Sequence, residues 1–123
     1  MAGELTVTDS WTYAKGSVGP LQKAITGLAV TVTGNDGVYD FATLSTSPAA
    51  LNLGTLSGTL GWAWFHNTDT TNDIILLTGS GGKQFARIKP GEFAHLRLGD
   101  DVTTPYAKAS AGTPVLEYQI LPP

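Results

Sequence analysis

Short apolar segments cut apart by turn residues run through the chain, and most of them alternate with a period of two. Leu5, Val7 and Asp9 alternate with Thr6, Thr8 and Ser10, and the pattern continues through Trp11 and Tyr13 to Lys15. Successive side chains of a strand point to opposite faces, so this spacing predicts a strand with one buried face. Gly16, Gly19 and Pro20 break it. The segment Leu21–Thr33 follows, with Leu28, Val30 and Val32 on one side. Asn35-Asp36-Gly37 then predicts a type I′ hairpin, because Asp-Gly accepts the positive φ angles of that turn. Val38–Thr46 places Tyr39, Phe41 and Thr43 together, Ser47-Pro48 interrupts, and Pro48-Ala49-Ala50 fits a short helical turn before the weaker apolar stretch Ala50–Leu56.

The second half repeats the strand–turn rhythm. Strands are expected near Leu60–Asn67, Asp73–Thr78, Lys83–Ile88, Glu92–Leu98, Tyr106–Ala109 and Leu116–Leu121. Lys89-Pro90-Gly91-Glu92 reads as a type II turn, with proline fixing φ at the second position and glycine supplying positive φ at the third. No long segment carries the 3.6-residue spacing of a helix. The expectation is one all-β domain over residues 1–123, an antiparallel two-sheet β-sandwich of jelly-roll or Ig-like type. It would hold about eight to ten short strands and at most a short helical turn.

Composition narrows the function classes. Charged residues make up 14% of the 123 residues, against about 25% in an ordinary soluble domain. Thr, Ser, Gly and Ala fill the gap, and a surface of small neutral groups suits burial against another protein. The net charge is −3 and the seven basic residues are scattered, so the basic stripe of a nucleic-acid binder is missing. No stretch approaches the ~20 apolar residues of a membrane span, and MAGELTVTDS lacks the basic and apolar regions of a signal peptide. Folding in a cytoplasm, with no nucleic-acid or membrane partner, is the expectation. The chain has no cysteine, which excludes disulfides and thiolate metal sites.

Candidate chemistry is sparse. Trp62, Trp64 and Phe65 form the densest aromatic cluster; the two tryptophans share one strand face and Ala63 and Phe65 the other. One reading is a stacking platform for a sugar or a proline, with Trp11 as a third ring; the other is simple burial of a strand on both faces. His66 and His95 would need Asp69 or Asp73 as a third ligand to hold a metal, and Asp100-Asp101 with the same aspartates would need to converge to hold calcium. Neither pattern has ligand spacing, so no metal or cofactor is expected. Gly79-Ser80-Gly81-Gly82-Lys83 lacks the phosphate-loop spacing and reads as a hairpin tip. No serine sits in a nucleophile elbow, and Glu92 stands alone where glycoside hydrolysis needs two placed carboxyls. The residues favour a binding or assembly role over catalysis. The expected interface residues are Trp11, Tyr13, the loop Thr68, Asp69, Thr70, Thr71 and Asn72, then Ser80, Arg87 and Arg97.

The segment Gly61–Leu121 resembles small structural proteins of tailed-bacteriophage particles. The resemblance lies in the ordered parts WFHNTDTTND, IILL, GSGG, FARIKPGEFAHLRLG, PYAKAS and VLEYQIL, about half the chain. VTVTGNDGVYDFATLSTSPAALNLG is compatible with the same group. It implies a virion component with a β-sandwich and no catalytic residues. Within that class it implies a capsid decoration, or cement, protein that is a homotrimer and binds the major capsid protein. The particle would be assembled in the host bacterial cytoplasm. A tail, neck or baseplate subunit is the nearest alternative. A carbohydrate-binding module for host attachment, using Trp62 and Trp64, is the alternative from another class.

Overall fold

The computed structural model describes residues 4–123 and, for residues 18–21, the backbone alone. Ten strands lie among the described residues: β1 Leu5–Lys15, β2 Val18–Val30, β3 Val38–Thr43, β4 Ala49–Ala50, β5 Trp62–Asn67, β6 Ile74–Leu77, β7 Gln84–Ile88, β8 Phe93–Arg97, β9 Tyr106–Ala109 and β10 Val115–Ile120. The chain divides into two compact units, Met1–Thr33 and Gly34–Pro123.

The first unit is a long β1–β2 hairpin. Gly16, which the sequence pattern marks as a strand breaker, instead forms a two-residue turn with Ser17, and Lys15 pairs directly with Val18. Its φ of 57° is what a hairpin turn of type II′ demands of its first central residue, and glycine adopts it without strain. Further along, β2 carries an extra residue opposite Thr8, whose hydroxyl accepts the Gly27 N–H at 3.1 Å.

The second unit is an eight-stranded sandwich built from nested antiparallel pairs. β3 pairs with β10, β4 with β9, β5 with β8, and β6 with β7. Two more pairings, β10 with β5 and β9 with β6, complete the sheets β3-β10-β5-β8 and β4-β9-β6-β7. A ribbon folded into four nested pairs and rolled into two sheets is a jelly roll. That resolves the choice between the two sandwich types in favour of the first.

Alternation places the core where the period-two pattern expects it. Ala63 and Phe65 from β5, Leu116, Tyr118 and Ile120 from β10, Ile74 and Leu76 from β6, and Ala107 and Ala109 from β9 form one buried cluster. The Tyr118 hydroxyl donates to the Asn52 carbonyl at 2.8 Å, which satisfies the one polar atom that ring carries inward. The expected turn at Lys89–Glu92 is present: Gly91 has φ 80° and the Glu92 N–H donates to the Lys89 carbonyl at 2.9 Å.

Two local expectations need correction. Asn35-Asp36-Gly37 does not close a hairpin, because β2 pairs with β1 while β3 pairs with β10, and neither Asp36 nor Gly37 has positive φ. The dipeptide signal is local, but long-range pairing decides which strands meet. Pro48-Ala49-Ala50 is not helical either; Ala49 and Ala50 pair with Ala107 and Tyr106 as β4.

Candidate functional site

The outer face of sheet β3-β10-β5-β8 carries the chemistry. Antiparallel register sets opposed residues on the same face, and the rows can be read across all four strands. One row runs Phe41, Glu117, His66, Phe93; the next runs Tyr39, Gln119, Trp64, His95; at the edge Trp62 stands opposite Arg97. Seven of these ten side chains are aromatic or imidazole rings. Phe93 is 63% exposed, Tyr39 57% and Phe41 53%, while Trp62, Trp64, His66 and His95 are half-buried. Exposed rings concentrated on one sheet face form a patch rather than the singly scattered apolar residues of an ordinary surface.

The rings are ordered by one another. Tyr39 and Phe41 meet edge to face with centroids 5.6 Å apart, Trp62 and His95 edge to face at 6.1 Å, and Trp64 and His66 tilt together at 5.6 Å. Glu117 lies between them. One of its carboxylate oxygens accepts the Tyr39 hydroxyl, and the other lies 2.9 Å from His66 Nδ1. These bonds, the tyrosine's first, hold the Glu117 carboxyl below the usual carboxylate range. Conversely, donating to that anion pushes the Tyr39 hydroxyl up. The Glu117 contribution to stability is therefore present above the ordinary carboxylate range and lost as pH falls through its lowered value. The Tyr39 contribution is present below the ordinary phenol range and lost as pH rises through the raised value. Glu117→Gln removes the anion, and alkaline spectrophotometric titration should then show one tyrosine ionising at lower pH than in the parent protein. An unchanged titration curve would contradict the Tyr39–Glu117 bond.

Trp62 contributes a further feature. Its indole Nε1 is shielded from solvent and has no hydrogen-bond partner among the described residues, which is uncommon for a buried donor.

The residues expected at interfaces fall in different places. Arg97 joins the aromatic face beside Trp62, and Trp11 and Tyr13 lie on the β1–β2 hairpin. Arg87 is exposed, but its Nε donates to Asp73 Oδ2 at 2.7 Å, so its charge is already paired within the chain. Ser80 is exposed in the β6–β7 connection. The loop Thr68–Asn72 is tied down from inside. Asn67, fully buried, donates through Nδ2 to the Asn72 and Ile88 carbonyls, both at 2.9 Å, and accepts the Asp69 N–H at 2.9 Å. Asp69 in turn accepts the Asn72 and Thr71 N–H groups, which lowers its carboxyl, the Asn72 bond first. Thr68 donates its hydroxyl to the Val115 carbonyl at 2.7 Å. Within this loop Thr68, Thr70 and Thr71 remain exposed.

Sequence reasoning singled out Trp62 and Trp64 but missed Tyr39, Phe41, Phe93, Glu117 and Gln119 as members of the same face. The usable signal was the pair Tyr39 and Phe41 at period two, yet alternation does not tell which face of a strand looks outward. His66 and His95 occupy adjacent strands on this face, and His66 pairs with Glu117 rather than with Asp69 or Asp73. Among the described residues no group of three His, Cys, Asp or Glu side chains is placed to hold a metal ion. Comparison with protein-family models, curated proteins and solved structures finds no match to this chain.

Proposed function

We propose that this protein is a structural component of a bacteriophage particle, most directly a capsid decoration protein docking on the major-capsid lattice through the aromatic face of β3-β10-β5-β8. The observation that carries the docking part is the exposure of Tyr39, Phe41 and Phe93 around the half-buried Trp62 and Trp64 on a single sheet face. Large rings bury much area at little conformational cost, and they dominate the energetics of protein interfaces. The Gly61–Leu121 resemblance supplies the particle. The jelly roll agrees with it by analogy only, since that fold serves viral shell and lectin domains alike. Many copies, each holding by a modest contact, stabilise a shell through multivalency. A tail, neck or baseplate position uses the same face on a different lattice.

Co-sedimentation with empty capsid shells tests the reading. Phe41→Ala with Phe93→Ala should weaken shell binding about tenfold or more, as expected when exposed anchors are truncated. Both rings are exposed, so the thermal unfolding midpoint should stay near that of the parent protein. Shell binding undiminished in the double variant removes this face from the proposal, and no binding by the parent protein removes the decoration role.

One feature favours a second reading. Glu117 and Gln119 on β10 form a polar strip between rings on β3 and rings on β5 and β8. Rings against the C–H faces of a pyranose, with a carboxylate and an amide for its hydroxyls, make a reasonable glycan site. Saturable quenching of tryptophan fluorescence by an oligosaccharide, lost in Trp64→Ala, would favour it.

A further inference from the structure

Glu117 is an anion at the centre of the ring-bearing face, and its partners within the chain leave its charge standing. The Tyr39 hydroxyl that donates to it is neutral, and His66, with Nδ1 2.9 Å away, is charged only when protonated. An ionised carboxylate offers about four acceptor sites, and these bonds fill two of them. The Glu117 side chain is still 19% exposed. Among the described residues no lysine or arginine forms an ion pair with it. The face's own cation, Arg97, lies two rows and two strands away, about 16 Å between Cα positions.

Rings flank the carboxylate on both sides. Phe41 is directly opposite on β3 and 53% exposed, Tyr39 is the next ring along that strand, and Trp64 stands diagonally across on β5. Directly opposed side chains start about 4.5–5.5 Å apart and diagonal ones about 7–8 Å, so a group seated on Glu117 is within reach of the Phe41 and Trp64 rings.

We propose that Glu117 and the rings around it receive an arginine side chain of the protein on which this one docks. The inference rests on the docking reading and names the partner's chemistry there. Charge is the first argument. Docking through this face takes Glu117 out of water, and a buried carboxylate without a cation is costly, whereas a cation hydrogen-bonded to it offsets the cost and fixes register. A backbone N–H or a sugar hydroxyl fills an acceptor site but leaves the charge uncompensated. Shape is the second argument. A guanidinium is flat and weakly hydrated, so it stacks on aromatic rings while its in-plane N–H groups donate to a carboxylate. The compact, strongly hydrated ammonium of lysine stacks poorly. Rings on two sides of a single anion fit the guanidinium.

Two measurements test this, one with shells and one without. Glu117→Gln keeps the size of the side chain and an acceptor for Tyr39, and should weaken co-sedimentation with shells about tenfold or more at low salt. It should also flatten the loss of binding with rising salt, which a purely structural role would not move. On the isolated protein, N-acetyl-arginine amide should change tryptophan fluorescence saturably. The lysine analogue should need about threefold or more the concentration, and Glu117→Gln should abolish the difference. Undiminished shell binding by Glu117→Gln, or weaker binding with the parent's salt dependence, overturns the arginine contact and leaves the docking face in place. Failure of the parent protein to sediment with shells removes the docking reading instead. The amide titration then decides alone: equal responses to the two amides, or none, overturn the proposal.

Discussion

Replacing Asn67 by leucine should destabilise the protein by about 3–5 kcal/mol, although the two side chains are similar in size. Asn67 is a buried polar residue at the end of β5, and each of its polar atoms has a partner. Its Nδ2 donates to the Asn72 and Ile88 carbonyls and its Oδ1 accepts the Asp69 N–H, while its backbone N–H and carbonyl bond Glu92 and Gly91. Leucine keeps the backbone pair and removes the other three bonds. The Ile88 carbonyl is then orphaned in the interior, and the Asn72 carbonyl and Asp69 N–H in half-buried positions, each at a desolvation penalty of up to about 1–3 kcal/mol. Urea unfolding should show the midpoint falling with little change in slope. Amide exchange should accelerate first in residues 68–72, because that loop hangs from Asn67. A loss below about 1 kcal/mol would mean that the amide is not the anchor described.

Phe65→Ala should have an effect of similar size by a different mechanism. Phe65 is fully buried, and its register partners across the sheet are Tyr118 and Ala94. Truncating a core phenylalanine leaves a cavity that its surroundings only partly refill, at about 3–5 kcal/mol. That is a large share of the 5–15 kcal/mol that holds a typical domain together. The consequence reaches the proposed docking face, because Trp64 and His66 flank Phe65 in the chain and point the opposite way. The variant should therefore lose shell binding in proportion to its loss of folded protein, whereas Phe41→Ala with Phe93→Ala should lose binding while staying folded. Calorimetry beside co-sedimentation separates the two cases.

Beside Tyr39, the buried Tyr118 shapes the high-pH side of the stability profile. Burial pushes the Tyr118 hydroxyl up, and the nearby Asp40 charge adds to it. The neutral hydroxyl contributes fully below about pH 10, and that contribution disappears as pH rises through the raised value. Tyr118→Phe should flatten the alkaline limb of the profile, and an unaltered limb would point elsewhere.

Particular elements show how far the sequence could be read. Alternation located nearly every strand of the second unit, separated Trp62 and Trp64 from Ala63 and Phe65, and predicted the turn at Lys89–Glu92. These are local properties, carried by residues a few positions apart. The jelly roll was legible only as a sandwich, because its defining pairs join Val38 to Ile120 and Thr43 to Val115 across most of the second unit. For the same reason Asn35-Asp36-Gly37 misled: a good turn dipeptide cannot pair strands whose partners lie elsewhere. The aromatic face was half legible. Three of its rings, Trp62, Trp64 and His66, alternate along β5, but the others come from β3 and β8, and Glu117, which organises Tyr39 and His66, comes from β10. Only the sheet order brings these four segments together.

On the proposed function, the ring-bearing face of β3-β10-β5-β8 is where the protein is held by its neighbours. Oxidative footprinting of the protein, free and then bound to capsid shells, tests it most directly. Tyr39, Phe41, Trp64 and Phe93 should label readily in the free protein and become protected on the shell, while β7 on the opposite sheet labels equally in both. Full labelling of those four rings on protein that sediments with the shell would contradict the claim.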